Sequence, residues 1–229
     1  MDNTLNFSSP WIDGDLDVWS PLTHNRKPEK AKKEFVLYHQ GDKPEYVYLV
    51  MKGRLRITSY QPNGKERQIY IAEKGCLVGE KSVLLHQPHT FSAVAIVDSL
   101  VYKINVHDFF SIMEKNFNLC QSVMQMICKK QEILYHHLLG NSFSQASQQI
   151  ARVILHLVKQ YGEPVADTFK ISIRFTHQDV AHITGISRVT VSNTFSKFTN
   201  EGILDKQDSR FIIRDLDRLQ EYADGEQEF

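Results

Sequence analysis

The chain has 229 residues, enough for one large domain or two small ones, and 41% of them are hydrophobic, which permits a packed core and argues against intrinsic disorder. Lysine plus arginine and aspartate plus glutamate number 27 each, so no global charge draws the protein to nucleic acid or to a membrane surface. The sequence has no run of about 18 apolar residues and begins without a basic-then-apolar leader, which predicts a cytoplasmic protein with no membrane partner.

The three cysteines are widely spaced and form no Cys-x-x-Cys pair. An odd number of cysteines in this arrangement argues against a disulfide framework and against a structural zinc site. We therefore expect Cys76, Cys120 and Cys128 to be small core residues, with no bound metal and no resident cofactor. A redox role for one of them stays open.

The first 33 residues have few periodic apolar positions and several residues that break helices and strands. The breakers are Pro10, Gly14, Pro21 and Pro28. This composition predicts a loosely docked arm.

Residues 35–104 contain short β-rich runs separated by glycine turns such as Pro62-Asn-Gly64. The runs are 35–39, 46–51, 54–60, 68–72, 91–97 and 100–104. About eight short strands in this length are typical of a small antiparallel β-barrel or jelly roll, which makes the fold class α+β when the later helices are included. The arm and the barrel together form the first expected domain, residues 1–110.

Helical periodicity follows, and residues 111–140 predict one long helix with two apolar faces. One face carries Leu119, Val123, Met126 and Ile133, and the other carries Met124, Ile127, Leu134 and Leu138. Because one barrel covers only one face, the second predicts a twin helix in a homodimer. The alternative is a helix sandwiched within one subunit. Residues 140–144 predict a hinge-like break after the helix.

A separate domain is expected at residues 147–229. It opens with an amphipathic helix, 148–160, which stops at the Tyr-Gly-Glu-Pro sequence of residues 161–164. It closes with two short β runs in residues 202–213 that are joined by a polar turn, which is the shape of a wing.

Between these elements, residues 176–198 predict a helix, a turn and a second helix. Thr176 with Asp179 resembles a capping box, Gly185 suits a left-handed helix end, and Ser187 can cap the second helix. Such a pair places its second helix in the major groove of DNA. The alternative is a helical hairpin with a solvated face.

The second helix of this pair has one buried and one polar face. Val191, Phe195 and Phe198 follow i, i+4, i+7 spacing and form the expected buried stripe. The outward face carries Arg188, Val189, Ser192, Asn193 and Ser196. It contains no acidic residue, as expected of a surface that meets phosphates and base edges.

The order of β barrel, long helix and winged helix–turn–helix, with three local motifs, resembles the CRP/FNR family of bacterial transcription regulators. The motifs are Gly79-Glu80 followed by Gln87-Pro-His-Thr90, Gln149-Ile-Ala-Arg-Val-Ile-Leu155, and Thr184-Gly-Ile-Ser-Arg-Val-Thr-Val-Ser192. The resemblance runs from about residue 35 to residue 213. It implies an effector pocket in the barrel, a homodimer through the long helix, a palindromic operator in double-stranded DNA, RNA polymerase as a partner, and no enzymatic activity.

The resemblance also implies an effector site. Its residues are Gly79, Glu80, Lys81, Ser82, His89, Thr90, Leu134 and Tyr135. Cyclic-nucleotide members hold the ribose with the Gly-Glu pair and the cyclic phosphate with an Arg-Ser pair, which here reads His89-Thr90. Loss of the guanidinium, with its fixed charge and paired donors, predicts a small-molecule effector other than cAMP. The recognition helix is most similar to that of the halogenated-aromatic sensors of the family, which would make this site a pocket for an aromatic acid.

The DNA-binding residues follow from the same resemblance. They are Thr176, His177, Gln178, Ser187, Arg188, Val189, Thr190, Ser192, Asn193, Lys197, Lys206 and Arg210. The family usually reads bases with a glutamate and an arginine at the positions held here by Val189 and Asn193. Valine suits a thymine methyl group and asparagine pairs with adenine, so the predicted operator is A/T-rich.

Two other functions stay open. A cupin-like metal-dependent barrel enzyme with a helical appendage would use His86 and His89 near Glu80, although this spacing lacks the usual His-x-His pattern of such barrels. A ligand-independent DNA-binding regulator would keep the barrel only as a dimer scaffold. Three cysteines cannot supply a four-thiolate iron–sulfur cluster within one chain, whereas ten histidines leave haem possible.

Overall fold

The computed structural model describes residues 11–61, 66–143, 145–166, 168–207 and 210–225, with only the backbone described at 136–143. The turn predicted at Pro62-Asn-Gly64 therefore lies outside the described residues. The chain divides into two compact units, one within Pro10–Leu134 and one within Tyr135–Phe229. The long helix runs from the first unit into the second.

The first unit is built from nine strands and four helices among its described residues. In chain order they are β1 (Trp11–Ile12), α1 (Ser20–Thr23), β2 (Glu29–Ala31), β3 (Val36–Tyr38), β4 (Tyr46–Lys52), β5 (Leu55–Tyr60), β6 (Glu66–Ala72), β7 (Leu77–Val78), α2 (Glu80–Leu85), β8 (Ser92–Ala95), β9 (Ser99–Asn105), α3 (Val106–Glu114) and α4 (Phe117–Phe143). A short 3-10 turn, Asp17–Trp19, precedes α1.

The strands of this unit form two sheets that enclose one hydrophobic core. One sheet has the order β1-β6-β5-β8-β3, and the other has the order β2-β9-β4-β7. Every pairing is antiparallel except that of β1 with β6. Leu55 and Ile57 of β5 are almost fully buried on either side of the half-buried Arg56, as expected of a strand with one side inward, whereas residues 47–50 of β4 are all buried. The predicted antiparallel sensor fold is confirmed.

The prediction of a loosely docked arm is wrong for residues 11–33. Trp19 is 1% exposed, and its indole nitrogen donates a 2.9 Å hydrogen bond to the carbonyl of Gly75. Gly75 has φ +81° and lies against the backbone of Gly14, where a Cβ atom would collide. β1 also extends the larger sheet beside β6. A few large side chains such as Trp19 attach this segment to the barrel. Too few residues take part to give a helical or strand periodicity in the sequence.

The helical region of the first unit is divided differently from the prediction. α3 ends at Glu114, and α4 begins at Phe117 rather than at residue 111, because the Asn116 side chain accepts the backbone N–H of Leu119 at 3.0 Å and caps the new helix. α4 continues through Gly140 to Phe143, so the break predicted at residues 140–144 does not begin at Gly140.

The two predicted faces of α4 differ in burial. The first face packs into the barrel core, and its members Leu119, Val123, Met126 and Ile133 are at most 4% exposed. On the second face Met124 is 60% and Leu134 is 41% exposed, and Ile127 is partly buried. The side chain of Leu138 lies outside the described residues. The first face is confirmed as a buried stripe, whereas Met124 and Leu134 of the second face are exposed in a single chain.

The second unit carries a four-stranded antiparallel sheet and four helices among its described residues. In chain order they are α5 (Ala146–Tyr161), β10 (Gly162–Val165), β11 (Thr168–Ile171), α6 (His177–Thr184), α7 (Arg188–Asn200), β12 (Leu204–Gln207), β13 (Arg210–Ile213) and α8 (Leu216–Asp224). The sheet order is β10-β11-β13-β12. The β10–β11 hairpin was not predicted, because its Gly-Glu-Pro start reads only as a helix stop.

No helix within the described chain is both long enough and apolar enough to cross a bilayer.

Candidate DNA-binding surface and effector site

The turn between α6 and α7 has the geometry that the sequence predicts. The Thr176 hydroxyl accepts the backbone N–H of Asp179 at 3.2 Å, and the Asp179 carboxylate accepts the N–H of Thr176 at 2.7 Å, which completes a capping box. Gly185 ends α6 with φ +72°. The Ser187 hydroxyl accepts the N–H of Thr190 at 3.1 Å and caps α7. These caps fix where both helices begin.

The two faces of α7 are those predicted. Val191, Phe195 and Phe198 are at most 3% exposed, so they form the buried stripe. Arg188, Val189, Asn193 and Ser196 are exposed, and Ser192 is half-buried. Val189 is 70% exposed, so this outward face carries an apolar side chain among its polar ones. Because α7 contains no acidic residue, this face does not repel phosphate groups.

His177, a predicted DNA-binding residue, also packs against two aromatic rings of the second unit. Its ring centroid lies 4.6 Å from that of Phe195 and 6.0 Å from that of Phe211. Burial lowers the pKa of His177, and the nearby charges of Lys206 and Arg188 lower it further. A neutral imidazole therefore anchors the start of α6 against α7 and the wing. Gln178 contacts His182 one turn along α6.

Lys197 is turned towards the C-terminal helix. Its ammonium lies 4.0 Å from the Glu201 carboxylate and 4.9 Å from the Tyr222 ring centroid. The Tyr222 hydroxyl donates to the same carboxylate at 2.8 Å, and Arg218 donates to the Glu201 backbone carbonyl at 3.1 Å. This cluster ties the end of α7 to α8, so Lys197 has a structural environment that the sequence did not reveal.

The two predicted wing cations lie on neighbouring strands. Lys206 of β12 is exposed and Arg210 of β13 is half-buried. In the strand register Lys206 pairs with Phe211, and Gln207 pairs with Arg210. The turn between the strands lies outside the described residues.

The Gly-Glu motif of the predicted effector site begins α2. Gly79 has φ +88°, which favours glycine, and it places Glu80 at the first helical position, where the carboxylate is 2% exposed. The ammonium of Lys130 lies 2.6 Å from this carboxylate and donates to the carbonyl of Leu77 at 2.5 Å. Burial is the largest influence on Lys130 and lowers its pKa, but Glu80, Cys76 and Tyr38 together outweigh burial and the pKa is raised, so the Lys130 amine is protonated beside the carboxylate.

Lys130 is the residue that the sequence reasoning missed. It continues the buried stripe of α4, four residues after Met126 and three before Ile133. A lysine in an apolar stripe is the signal that would have identified it, since a buried ammonium requires a paired anion. Its ammonium also lies 5.4 Å from the ring centroid of the buried Tyr70.

The His89-Thr90 pair has no fixed positive charge of its own. His89 is 4% exposed and stacks on Tyr38 at 3.9 Å between ring centroids. Burial lowers the pKa of His89 although Asp42 and Glu80 act in the opposite direction, so its ring is neutral at pH 7. The ammonium of Lys81 donates to the Thr90 hydroxyl at 3.2 Å and lies 5.4 Å from the Phe91 ring centroid. Lys81 is therefore the cation beside Thr90.

The remaining predicted effector residues differ in exposure. Ser82 is 5% exposed within α2. Leu134 and Tyr135 of α4 are 41% and 59% exposed.

The cysteines have different environments. Cys76 is buried, as expected, and burial raises the pKa of its thiol to about 12, so it carries no reactive thiolate. Cys120 is half-buried and donates to the carbonyl of Met113 at 3.2 Å. Cys128 is exposed on α4, so the expectation of a core position is wrong for it.

The histidines of the metal-enzyme alternative do not converge. His86 stacks on Phe110 with 5.7 Å between ring centroids, whereas His89 stacks on Tyr38. Within the described ranges, no group of three or more His, Cys, Asp or Glu side chains is placed to hold a metal ion.

Comparison with known protein families gives a match for each of the two parts of the chain. The cyclic nucleotide-binding domain family matches residues 28–116, and the Crp-like helix-turn-helix domain family matches residues 148–222. The cyclic AMP receptor protein of Thermus thermophilus is 24% identical over 218 residues, which cover 90% of this chain and 98% of that protein.

Solved structures share the fold. FixK2 from Bradyrhizobium japonicum superposes with a TM-score of 0.74 at 20% identity, over 86% of this chain and 96% of that chain. CprK complexed with OCPA superposes with a TM-score of 0.71 at 17% identity, over 92% and 98% of the two chains. With its two successive domain matches and these similarities along most of its length, the protein belongs to the CRP/FNR family of transcription regulators, which combine an effector-binding domain with a DNA-binding helix–turn–helix.

Proposed function

We propose that this regulator binds an A/T-rich palindromic operator as a homodimer and that a small molecule other than cAMP controls the binding. The observation that carries the proposal is the outward face of α7, where Val189 is 70% exposed one turn before the exposed Asn193. An apolar side chain matches a thymine methyl group, and an asparagine amide matches the N6 and N7 edge of adenine.

Phosphate contacts surround this reading face. Arg188 at the start of α7 and the wing residues Lys206 and Arg210 supply positive charge, and the exposed start of α6 supplies polar groups. The other residues predicted to bind DNA, without a separate assignment to bases or phosphates, are Thr176, His177, Gln178, Ser187, Thr190, Ser192 and Lys197. Contacts with phosphate groups position the protein on the duplex without selecting a base sequence.

The exposed face of α4 supports the proposed homodimer. Phe117, Met124 and Leu134 are 79%, 60% and 41% exposed in the single chain. A second copy of the same helix would cover this face and would present two recognition helices to two half-sites of a palindrome. We assign residues 1–110 to effector binding, 111–140 to dimerisation and 147–229 to DNA binding.

The effector that these side chains suit best is a small organic acid with an aromatic ring. Lys81 offers an ammonium beside the Thr90 hydroxyl, and Phe91 and His89 offer ring surfaces. A neutral His89 is a poor replacement for the arginine that grips a cyclic phosphate, which argues against cAMP. CprK has been solved with OCPA bound, which gives the family a second kind of ligand. The candidate site consists of this group with Gly79, Glu80, Ser82, Leu134 and Tyr135.

A second candidate is a ligand-independent regulator. The carboxylate of Glu80 is already paired with Lys130 of the same chain, so this part of the barrel is satisfied without a ligand. Titrating cAMP and aromatic acids while operator affinity is measured separates the two cases. A change in affinity with an acid favours the effector-controlled regulator, and no change with any compound favours the second candidate.

The cellular setting follows from the regulator assignment. We expect the protein to work in the cytoplasm, to act together with RNA polymerase and to catalyse no reaction.

The proposal is tested by selecting bound duplexes from a random DNA pool with the full chain. We expect inverted repeats with A/T-rich half-sites whose centres lie about one helical turn, 10–10.5 base pairs, apart. Enrichment of single sites without symmetry, or no enrichment in the presence or absence of ligands, contradicts it.

A further inference from the structure

The most exposed large apolar side chain in the described part of the molecule is a phenylalanine. Phe117, the first residue of α4, is 79% exposed. Leaving a ring of this size in water sacrifices a large favourable burial, and such side chains commonly anchor interfaces.

A groove that is open to solvent lies in the same part of the fold, and Cys120, three residues after Phe117, contributes to its lining. It has a volume of about 560 Å³ and runs between α3 and the first turn of α4. It is lined by His107, Phe110, Ser111, Met113, Glu114 and Cys120. Its apolar members Phe110 and Met113 are only partly buried against the barrel core, so apolar surface remains to be covered.

The second face of α4, which includes Phe117, has a seven-residue repeat. Phe117, Met124 and Gln131 are seven residues apart, and Cys120, Ile127 and Leu134 form a second seven-residue series that begins three residues later. These two series are the a and d positions of a heptad repeat. Where two such helices pair in parallel, an a-position side chain enters a hole formed by four residues of the facing chain, which include the d-position residues before and after it.

Counting back by seven residues from Cys120 gives the preceding d position, which lies in α3. The d position before Cys120 is residue 113, and both Met113 and Cys120 line the groove. The thiol of Cys120 donates to the carbonyl of Met113 at 3.2 Å, so the two residues are in contact although the chain breaks between α3 and α4. One chain therefore carries both the knob and the hole, as an interface between two identical copies requires.

We propose that Phe117 of each copy inserts into this groove of the other copy, so that the dimer interface extends from α4 onto α3. The inference rests on the proposed homodimer and identifies a second copy of the chain as the occupant of the groove. Burying two rings adds about 300–500 Å² of contact.

The test measures the dimer dissociation constant of the full chain by sedimentation equilibrium. Phe117→Ala removes the knob, and Ser111→Arg fills the groove with a charged side chain. Phe35→Ala is the matched control, because Phe35 is 55% exposed and lies outside the groove and outside α4. Met124→Asp tests the rest of the α4 face.

We expect Phe117→Ala to raise the dimer Kd on the order of 100-fold, since each copy loses one buried ring. Ser111→Arg should have a similar effect alone and little further effect once Phe117 is removed. Phe35→Ala should stay within about twofold of the unchanged chain. In Phe117→Trp the emission should shift to shorter wavelength as the dimer forms, against the constant signal of Trp11 and Trp19, which are both buried in the single chain.

The failures of the two proposals are distinguishable. If Met124→Asp dissociates the dimer while Phe117→Ala and Ser111→Arg keep the original Kd, the homodimer stands and the insertion of Phe117 is wrong. If the unchanged chain stays monomeric at all concentrations, the proposed homodimer fails and this inference fails with it.

Discussion

At the scale of single residues, the buried pair of Glu80 and Lys130 joins α2 to α4. The Glu80 carboxylate is 2% exposed and the Lys130 side chain is 11% exposed. Both charges are removed from water, so each depends on the other for compensation. The pair therefore holds the long helix against the barrel only while both partners are present.

Removing one partner is expected to cost more than removing both. Lys130→Met leaves a buried carboxylate without its cation and should lower the free energy of unfolding by about 3–5 kcal/mol. The double variant Lys130→Met, Glu80→Leu should recover most of this loss. The measurement is chemical denaturation, with Lys129→Met as an exposed control on the same helix. Equal stability of the Lys130 and Lys129 variants would contradict the role of the pair.

The recognition residues have separable roles. Asn193→Ala should lose about 1–3 kcal/mol of discrimination at one base pair if, as proposed, the amide reads a base edge. Lys206→Ala should weaken operator and random duplexes alike and reduce the slope of log Kd against log salt by about one. Fluorescence anisotropy with both duplexes at several salt concentrations measures these effects. Identical behaviour of the two variants would show that the roles are assigned wrongly.

His156 of α5 makes the second unit sensitive to acid. Burial lowers the pKa of His156 to about 4, and Lys159 contributes to the shift. The unfolded chain then binds the proton more readily than the folded one, so this contribution to stability is present above about pH 6.5 and is lost as the pH falls to about 4. His156→Gln should flatten this part of the stability profile, measured by denaturation at several pH values. The exposed His24→Gln should leave it unchanged, and an unaltered profile in the His156 variant would refute the assignment.

At the scale of elements, α4 has a polar residue in an otherwise apolar exposed face. Gln131 occupies the seven-residue series of Phe117 and Met124 and is exposed in the single chain. A polar side chain at such a position fixes the register of a helix pair at a cost in stability. Gln131 is thus expected to favour one register of the helix pair and to lower the affinity of the dimer.

Replacing this residue should strengthen the dimer. In Gln131→Leu the dimer Kd is expected to fall about tenfold, because an apolar side chain replaces a buried amide. Gln125→Leu is the matched control, since Gln125 is exposed on another face of α4. Sedimentation equilibrium measures both, and a weaker or unchanged dimer in Gln131→Leu argues against this position in the interface.

The sequence predicted those elements whose signal is local. The capped turn around Gly185, the buried stripe of α7 and the barrel strands follow from caps, spacing and alternation. The docking of Trp19 and the β10–β11 hairpin depend on partners distant in the sequence or on too few residues to show a pattern. In the candidate site, Glu80 was predicted but its partner Lys130 was not, because the pair spans 50 residues.

At the scale of the whole molecule, two units with different tasks share one chain. The first unit contains the candidate effector residues except Tyr135 and most of α4, and the second contains α6, α7 and the wing. If an effector controls DNA binding, the two events are coupled, and coupling of this type commonly changes affinity about 5- to 150-fold. By linkage, operator DNA should change the affinity for the effector by the same factor.

The central claim is that two copies of α7, presented by one homodimer, read two half-sites of a palindrome. Its most direct test is the affinity and stoichiometry of the full chain on a selected operator and on a duplex of equal length with one half-site scrambled. We predict two chains on the intact operator and a loss on the order of 100-fold or more with one half-site scrambled. One chain per duplex, or equal affinity for both duplexes, would contradict the account.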